Sequence, residues 1–160
     1  MDGFSYDNFI CDQDAFGDYS YRTIPSSRNG CGWMAAYNMR HYLGHDVSFD
    51  EVLREMDEMH TLRVPGPTTM NVMRKYLQKY IPDIRESCGR EESLSASRSS
   101  SAGILRYCEE NIPHFIFFCK SGDKYRFFNV NDGLEDFFED MDVFFEKHCE
   151  KFRYTAVFTV

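Results

Sequence analysis

The sequence predicts an α+β domain in which helices come first and an antiparallel sheet follows. Three observations lead there. Between positions 32 and 80 apolar residues recur at helical spacing, with capping residues ahead of two of the segments. From His114 onward the pattern becomes short aromatic and β-branched runs broken by a Ser-Gly-Asp turn. The composition, 42% hydrophobic with 15 Phe and 10 Tyr, suits a single core built largely of rings. The expected organisation is one domain over 1–160, with 1–28 an irregular lead-in and 86–102 a Ser-rich flexible loop.

Residues 1–28 are polar, aromatic and poorly periodic, and lead to the turn Ile24-Pro25-Ser26-Ser27. From Gly32, the residues Ala35, Ala36, Met39, Tyr42 and Leu43 give a helix with one buried face, ended by Gly44. Ser48-x-x-Glu51 is a capping box ahead of Val52, Leu53, Met56 and Met59. After the breaker Val64-Pro65-Gly66-Pro67, Thr68 or Thr69 caps a third helix that carries Met73, Tyr76 and Leu77 and stops before Pro82. Residues 86–102 are dominated by Ser and nearly lack large apolar side chains, which reads as a surface loop. A fourth helix is expected with Ile104, Leu105, Cys108 and Ile112 on one side. His114–Cys119 and Lys124–Asn129 read as a β-hairpin. Leu134, Phe137, Phe138, Met141, Phe144 and Phe145 suit an amphipathic helix, and Tyr154–Val160 a last strand.

The formal net charge of −8 argues against nucleic acid and anionic membrane as main partners, because both require basic patches. No stretch reaches the roughly 20 apolar residues of a membrane span, and the acidic beginning of the chain lacks a signal-peptide pattern. A cytoplasmic site is therefore expected. The six cysteines form no C-x-x-C pair and are expected as reduced thiols, with Cys108 and Cys119 in the core. His41 and His45 stand four apart, but Gly44 interrupts them, and a helix end explains them better than a metal. No metal or cofactor is expected.

The most informative segment is Asn29-Gly30-Cys31-Gly32-Trp33. It sets a cysteine where a turn becomes a helix, and there unpaired N–H groups and the helix dipole favour thiolate. Thiol-dependent acyl transfer also needs an imidazole and a group to orient it. His114 opens the first strand of the hairpin and Asn129 ends the second. A Ser121-Gly122 loop would set the two directly opposite, with Cβ atoms about 4.5–5.5 Å apart. A Gly122-Asp123 loop would instead oppose position 114 with Asn131, next to Asp132, so the register decides among the three.

Asn29–Asn38 resembles the nucleophile helix of the papain-like cysteine peptidases, and is most similar to their bacterial C39-like branch. In that branch a Cys-Gly pair opens the first helix, a His begins a strand of apolar residues, and an Asp or Asn ends the next strand. Cys31, His114-Phe-Ile-Phe-Phe118 and Asn129-Val-Asn-Asp132 match these elements in order, over roughly residues 20–135. The resemblance implies helices packed on an antiparallel sheet, with Cys31 as nucleophile, His114 as base, and Asn129, Asn131 or Asp132 as orienting group. It also implies a Gln about six residues before the nucleophile, whose amide shares the oxyanion hole with the backbone. That position is Pro25, which has no donor. Ser26, Ser27 or Asn29 are the candidate substitutes; with none, about 3–4 kcal/mol of transition-state stabilisation is lost.

The expected function is hydrolysis of a peptide or amide bond in a peptide or protein substrate. The alternatives are a peptide-binding domain of the same fold with weak or no activity, and a toxin-like amidase or deamidase.

Overall fold

Ten consecutive buried residues, Cys31–Arg40, lie in helix α2 (Cys31–Tyr42), so it is enclosed on every side and not only on one face. The computed structural model that shows this describes residues 3–61, 64–130 and 134–160, the side chains of 134–137 excepted. Ahead of α2 come a 3-10 turn (Gln13–Phe16), the small hairpin β1 (Ser20–Tyr21) and β2 (Ile24–Pro25), and the short helix α1 (Ser26–Asn29). Helices α3 (Phe49–Glu58) and α4 (Met70–Tyr80) follow, each started by the expected hydroxyl. Ser48 Oγ accepts from the N–H of Glu51, and Thr69 Oγ1 from that of Val72. Gly44, at φ +74°, turns the chain just beyond α2.

A buried polar triangle fixes these helices. Arg40 Nη1 donates to Glu55 Oε2 and Tyr76 Oη, both at 2.8 Å, and Tyr76 Oη donates to the same carboxylate. One residue each from α2, α3 and α4 thus ties the three helices together.

The rest of the chain builds a six-stranded antiparallel sheet in the order β3-β8-β4-β5-β6-β7. The strands are β3 (Arg85–Cys88), β4 (Ala102–Glu109), β5 (Ile112–Ser121), β6 (Lys124–Val130), β7 (Leu134–Glu139) and β8 (Ala156–Thr159). Side chains alternate between its faces. Ile104, Phe115, Phe117 and Phe158 join the core formed with α2, α3 and α4. Leu105, Ile116, Phe118, Phe127 and Val157 join a second core under α5 (Arg90–Ser99) and α6 (Met141–His148).

Three expectations fail here. Residues 86–102 are not a flexible loop: they contain most of β3, then helix α5, and the start of β4. Glu91 and Glu92 in the first turn and Arg98 in the last complement the dipole of α5. Its buried side is Leu94, which joins the second core, flanked by the small residues Ser93 and Ser97. The expected fourth helix through Ile104 and Leu105 is the central strand β4. It is covered on both faces and therefore shows no alternation. The Phe-rich segment divides into strand β7 and the shorter helix α6.

The lead-in is irregular but firmly held. Asn38, from inside α2, accepts from the N–H of Ile10 and donates to its carbonyl, at 2.7 and 2.8 Å. Arg126 on β6 is buried and donates two N–H groups to the carboxylate of Asp7. These ties lay the lead-in against β5 and β6, where Phe9 packs on Phe117 and Phe128. All six cysteines are thiols outside any disulfide, with Cys108 and Cys119 buried and Cys88 exposed. No helix among the described residues is long and apolar enough to cross a membrane.

Candidate active site

Cys31 is the first residue of α2, and Gly30 and Gly32 flank it because there is no room for more. A Cβ at Gly32 would overlap the side chain of Thr68, and one at Gly30 would strike Met34 and Trp33. Trp33 is fully buried against Phe16 and Phe49 and donates Nε1–H to Ser26 Oγ at 3.2 Å. The glycine-cysteine-glycine-tryptophan sequence is thus a packing solution that seats one thiol at a helix start.

Cys31 and His114 line one cleft of about 500 Å³. The α1 turn and Gln13 form one side of it, the Gly66–Pro67 segment another, and Ile112–Pro113 a third. Both residues are nearly inaccessible, at 6% and 5% exposure. Burial pushes the Cys31 thiol up, although the backbone N–H groups of Phe115, Gly32 and Cys31 pull the other way. This reverses the expectation that the helix start alone would favour thiolate: desolvation of the sulfur outweighs the helix-start donors. Burial likewise pushes the His114 imidazole down, to about 4, against the opposing hydrogen bond to Asn129. Both shifts favour the uncharged forms, thiol and imidazole.

The tautomer of His114 follows from its partner. Nε2 lies 2.6 Å from the backbone carbonyl oxygen of Asn129, which only accepts. The proton therefore sits on Nε2, and Nδ1 carries the lone pair. The hairpin loop is Gly122-Asp123, with Ser121 paired to Lys124 and Phe117 to Phe128, so His114 does not oppose Asn129 in the ladder. Asn129 reaches it by leaving regular strand geometry at φ +61°. Its side chain is turned elsewhere: Oδ1 accepts from the backbone N–H of Gln13 at 3.0 Å, and Nδ2 donates to Gln13 Oε1 at 3.2 Å. Asn131 and Asp132 lie outside the described residues.

The three oxyanion candidates separate clearly. Ser26 is fully buried and bonded to Trp33, away from the cleft. Asn29 lines the cleft, but both amide hydrogens are spent on the carbonyls of Tyr21 and Gly66, at 2.8 and 3.0 Å. Its Oδ1 is buried without a partner, and an acceptor cannot serve an oxyanion. Ser27 lines the cleft at partial exposure. The amide that sequence reasoning missed is Gln13. Its Oε1 is fixed by Asn129, one Nε2 hydrogen goes to the carbonyl of Ser27 at 2.9 Å, and the other is unspent among the described residues. No spacing rule points to it, because the chain approaches the cleft from the lead-in and not from the α1 turn.

The Gly66–Pro67 wall is held from behind. Tyr21 Oη accepts from Thr68 Oγ1 at 3.0 Å and meets His60 Nε2 at 2.6 Å. Arg22 Nη1 donates to the carbonyl of Pro67. Elsewhere, His41 stacks on Tyr37 and bonds the carbonyl of Asp7, and no group of three or more potential metal ligands occurs among the described residues. In comparisons with known proteins, the chain matches no family model and no curated protein sequence.

Proposed function

We propose that this chain is a thiol-dependent hydrolase of peptide or amide bonds, with the papain-like, C39-like fold that its sequence resembles. The observation that carries the reading is the shared cleft of Cys31 and His114, with His114 Nε2 anchored on a carbonyl and Nδ1 left basic. Cys31 Sγ attacks the substrate carbonyl carbon as its proton passes to His114 Nδ1. The oxyanion accepts from the Cys31 backbone N–H and from the unspent Nε2 hydrogen of Gln13. The C–N bond then breaks as His114 gives the proton to the leaving amine. Water, deprotonated by His114, hydrolyses the thioester and restores the thiol. Asn129 serves twice, orienting His114 through its carbonyl and Gln13 through its side chain.

A starting pair shifted toward the neutral form on both members suits a mechanism in which proton transfer accompanies attack. It also favours the second reading, a peptide-binding domain whose thiol never ionises. Incubation of the protein with a mixed peptide library, read by mass spectrometry, separates the two. The hydrolase reading expects cleavage that disappears in Cys31→Ala and falls 10²–10³-fold in Gln13→Ala. Cleavage that survives Cys31→Ala, or none with any peptide, would reject it.

A further inference from the structure

Among the described residues the cleft is uncharged except at one point. Ile24, Pro67, Ile112 and Pro113 give it apolar walls, its amides are neutral, and His114 is unprotonated near pH 7. No carboxylate lines it among the described residues, although the chain carries a net charge of −8. The exception is Arg28, in the last turn of α1, three residues before Cys31. Arg28 is exposed and forms no ion pair or hydrogen bond from its guanidinium among the described residues. Several other arginines are held by carboxylates, Arg40 by Glu55, Arg74 by Glu86, Arg98 by Asp142 and Arg126 by Asp7, and Arg28 is the arginine that lines the cleft. A cation left unpaired at the mouth of an apolar cleft, on an acidic protein, concentrates the field where a ligand would enter.

We propose that Arg28 is the specificity-determining residue of this cleft and binds a carboxylate on the peptide held beside Cys31, either an Asp or Glu side chain or a free C-terminus. This rests on the reading of the cleft as a peptide site. The guanidinium fork matches a carboxylate in two parallel hydrogen bonds. Ser27, next to Arg28 in the chain, lines the same cleft as a neutral partner, and Ile112 and Pro113 offer apolar lining to a side chain.

The test uses Cys31→Ala protein, so that retention is read without turnover. Synthetic peptide mixtures are offered in matched versions: Glu or Gln within the sequence, and a free or amidated C-terminus. Carboxylate-bearing peptides should be retained about tenfold better than their neutral counterparts. The preference should vanish in an added Arg28→Gln change, return in part with Arg28→Lys, and weaken with salt. Loss of retention on amidation assigns the terminal carboxylate; loss on Glu-to-Gln exchange assigns the side chain. Equal retention of neutral peptides, a preference that Arg28→Gln leaves in place, or no retention at millimolar peptide would each overturn the proposal. Parallel cleavage with the unmodified protein keeps the readings apart. Carboxylate preference without Cys31-dependent cleavage removes the hydrolase and leaves Arg28 recognition standing. Cleavage indifferent to carboxylates does the reverse.

Discussion

The Nε2 nitrogen of His114 lies 2.6 Å from the backbone carbonyl oxygen of Asn129, while the Asn129 side chain holds Gln13. The orienting acceptor is main chain, and the amide expected to orient the imidazole is engaged in positioning a second amide. The φ of +61° at Asn129 makes both possible, because a residue in extended geometry would continue the ladder with β5.

Asn129→Gly tests that division of labour. Glycine accepts the left-handed conformation and keeps the carbonyl, so the ring nitrogen shifts of His114 should retain the Nε2–H tautomer. Gln13 loses both contacts to the side chain, and hydrolysis should fall at least tenfold. Asn129→Ala should cost about 1–2 kcal/mol more in urea unfolding than Asn129→Gly. A switch of His114 to the Nδ1–H tautomer in the glycine variant would reassign the orienting role to the side chain.

Cys31 should alkylate slowly in the unliganded protein. Burial raises its thiol, whereas Cys88 is exposed. At pH 7 iodoacetamide should label Cys88 first, and the Cys31 rate should go on rising with pH beyond the range of an ordinary free thiol. Peptide mapping after timed labelling measures this. A Cys31 rate that levels off below pH 7 would mean a thiolate stabilised more strongly than the burial permits.

Stability should fall between about pH 6.5 and pH 4. The folded His114 binds its proton only near 4, while the unfolded chain takes one up near 6.5. Across that interval the unfolded state holds more protons, so stability rises with pH and is lost as pH drops through it, by about 3 kcal/mol. His60, also lowered by burial, adds in the same direction. The carboxyl of Asp7, held below its usual range by Arg126 despite burial, contributes at lower pH. Urea unfolding at pH 7 and pH 4 should show the difference shrink by most of that amount in His114→Gln. An unchanged difference would place the buried charge cost elsewhere.

How far the sequence reached depends on which forces shape each element. Helices α2, α3 and α4 were legible because Ser48, Thr69 and Gly44 mark their ends locally. The hairpin of β5 and β6 was legible from its turn. Cys31 and His114 line the same cleft, and Cys31 opens α2 as expected, whereas His114 is the third residue of β5, which begins at Ile112. Strand β4 was not legible: burial on both faces removes alternation, and Leu105 and Ile104 fit a helix as well. Helix α5 was missed because Leu94 on its packing face is flanked by serines, whose fit is decided by the sheet beneath them. Gln13 was missed because Asn38 and Asn129, far away in sequence, carry the lead-in to the cleft.

The buried serines of α5 yield a stability test. Ser97 Oγ is buried without a hydrogen-bond partner among the described residues, so its hydroxyl is desolvated for no return. Ser97→Ala should raise stability by about 0.5–1 kcal/mol, through relief of that cost and a better helix propensity. Urea unfolding of the two proteins measures it. A loss of more than about 1 kcal/mol would show that the hydroxyl has a partner, a bound water included.

Gly32 ties the nucleophile to the wall of the cleft. A Cβ there would overlap Thr68, whose hydroxyl is held by the buried Tyr21 and whose chain continues into the Pro67 wall. Gly32→Ala gains helix propensity yet must displace Thr68, so it should destabilise by about 1–3 kcal/mol and lower hydrolysis more than stability alone explains. Thr68→Gly removes the overlap at the cost of the bond to Tyr21. Combined with Gly32→Ala, it should therefore destabilise less than the sum of the single changes. Additive free energies in this double-mutant cycle, measured by urea unfolding, would mean that the two residues are not in contact in solution. The tight glycine would then have to be explained by the helix start alone.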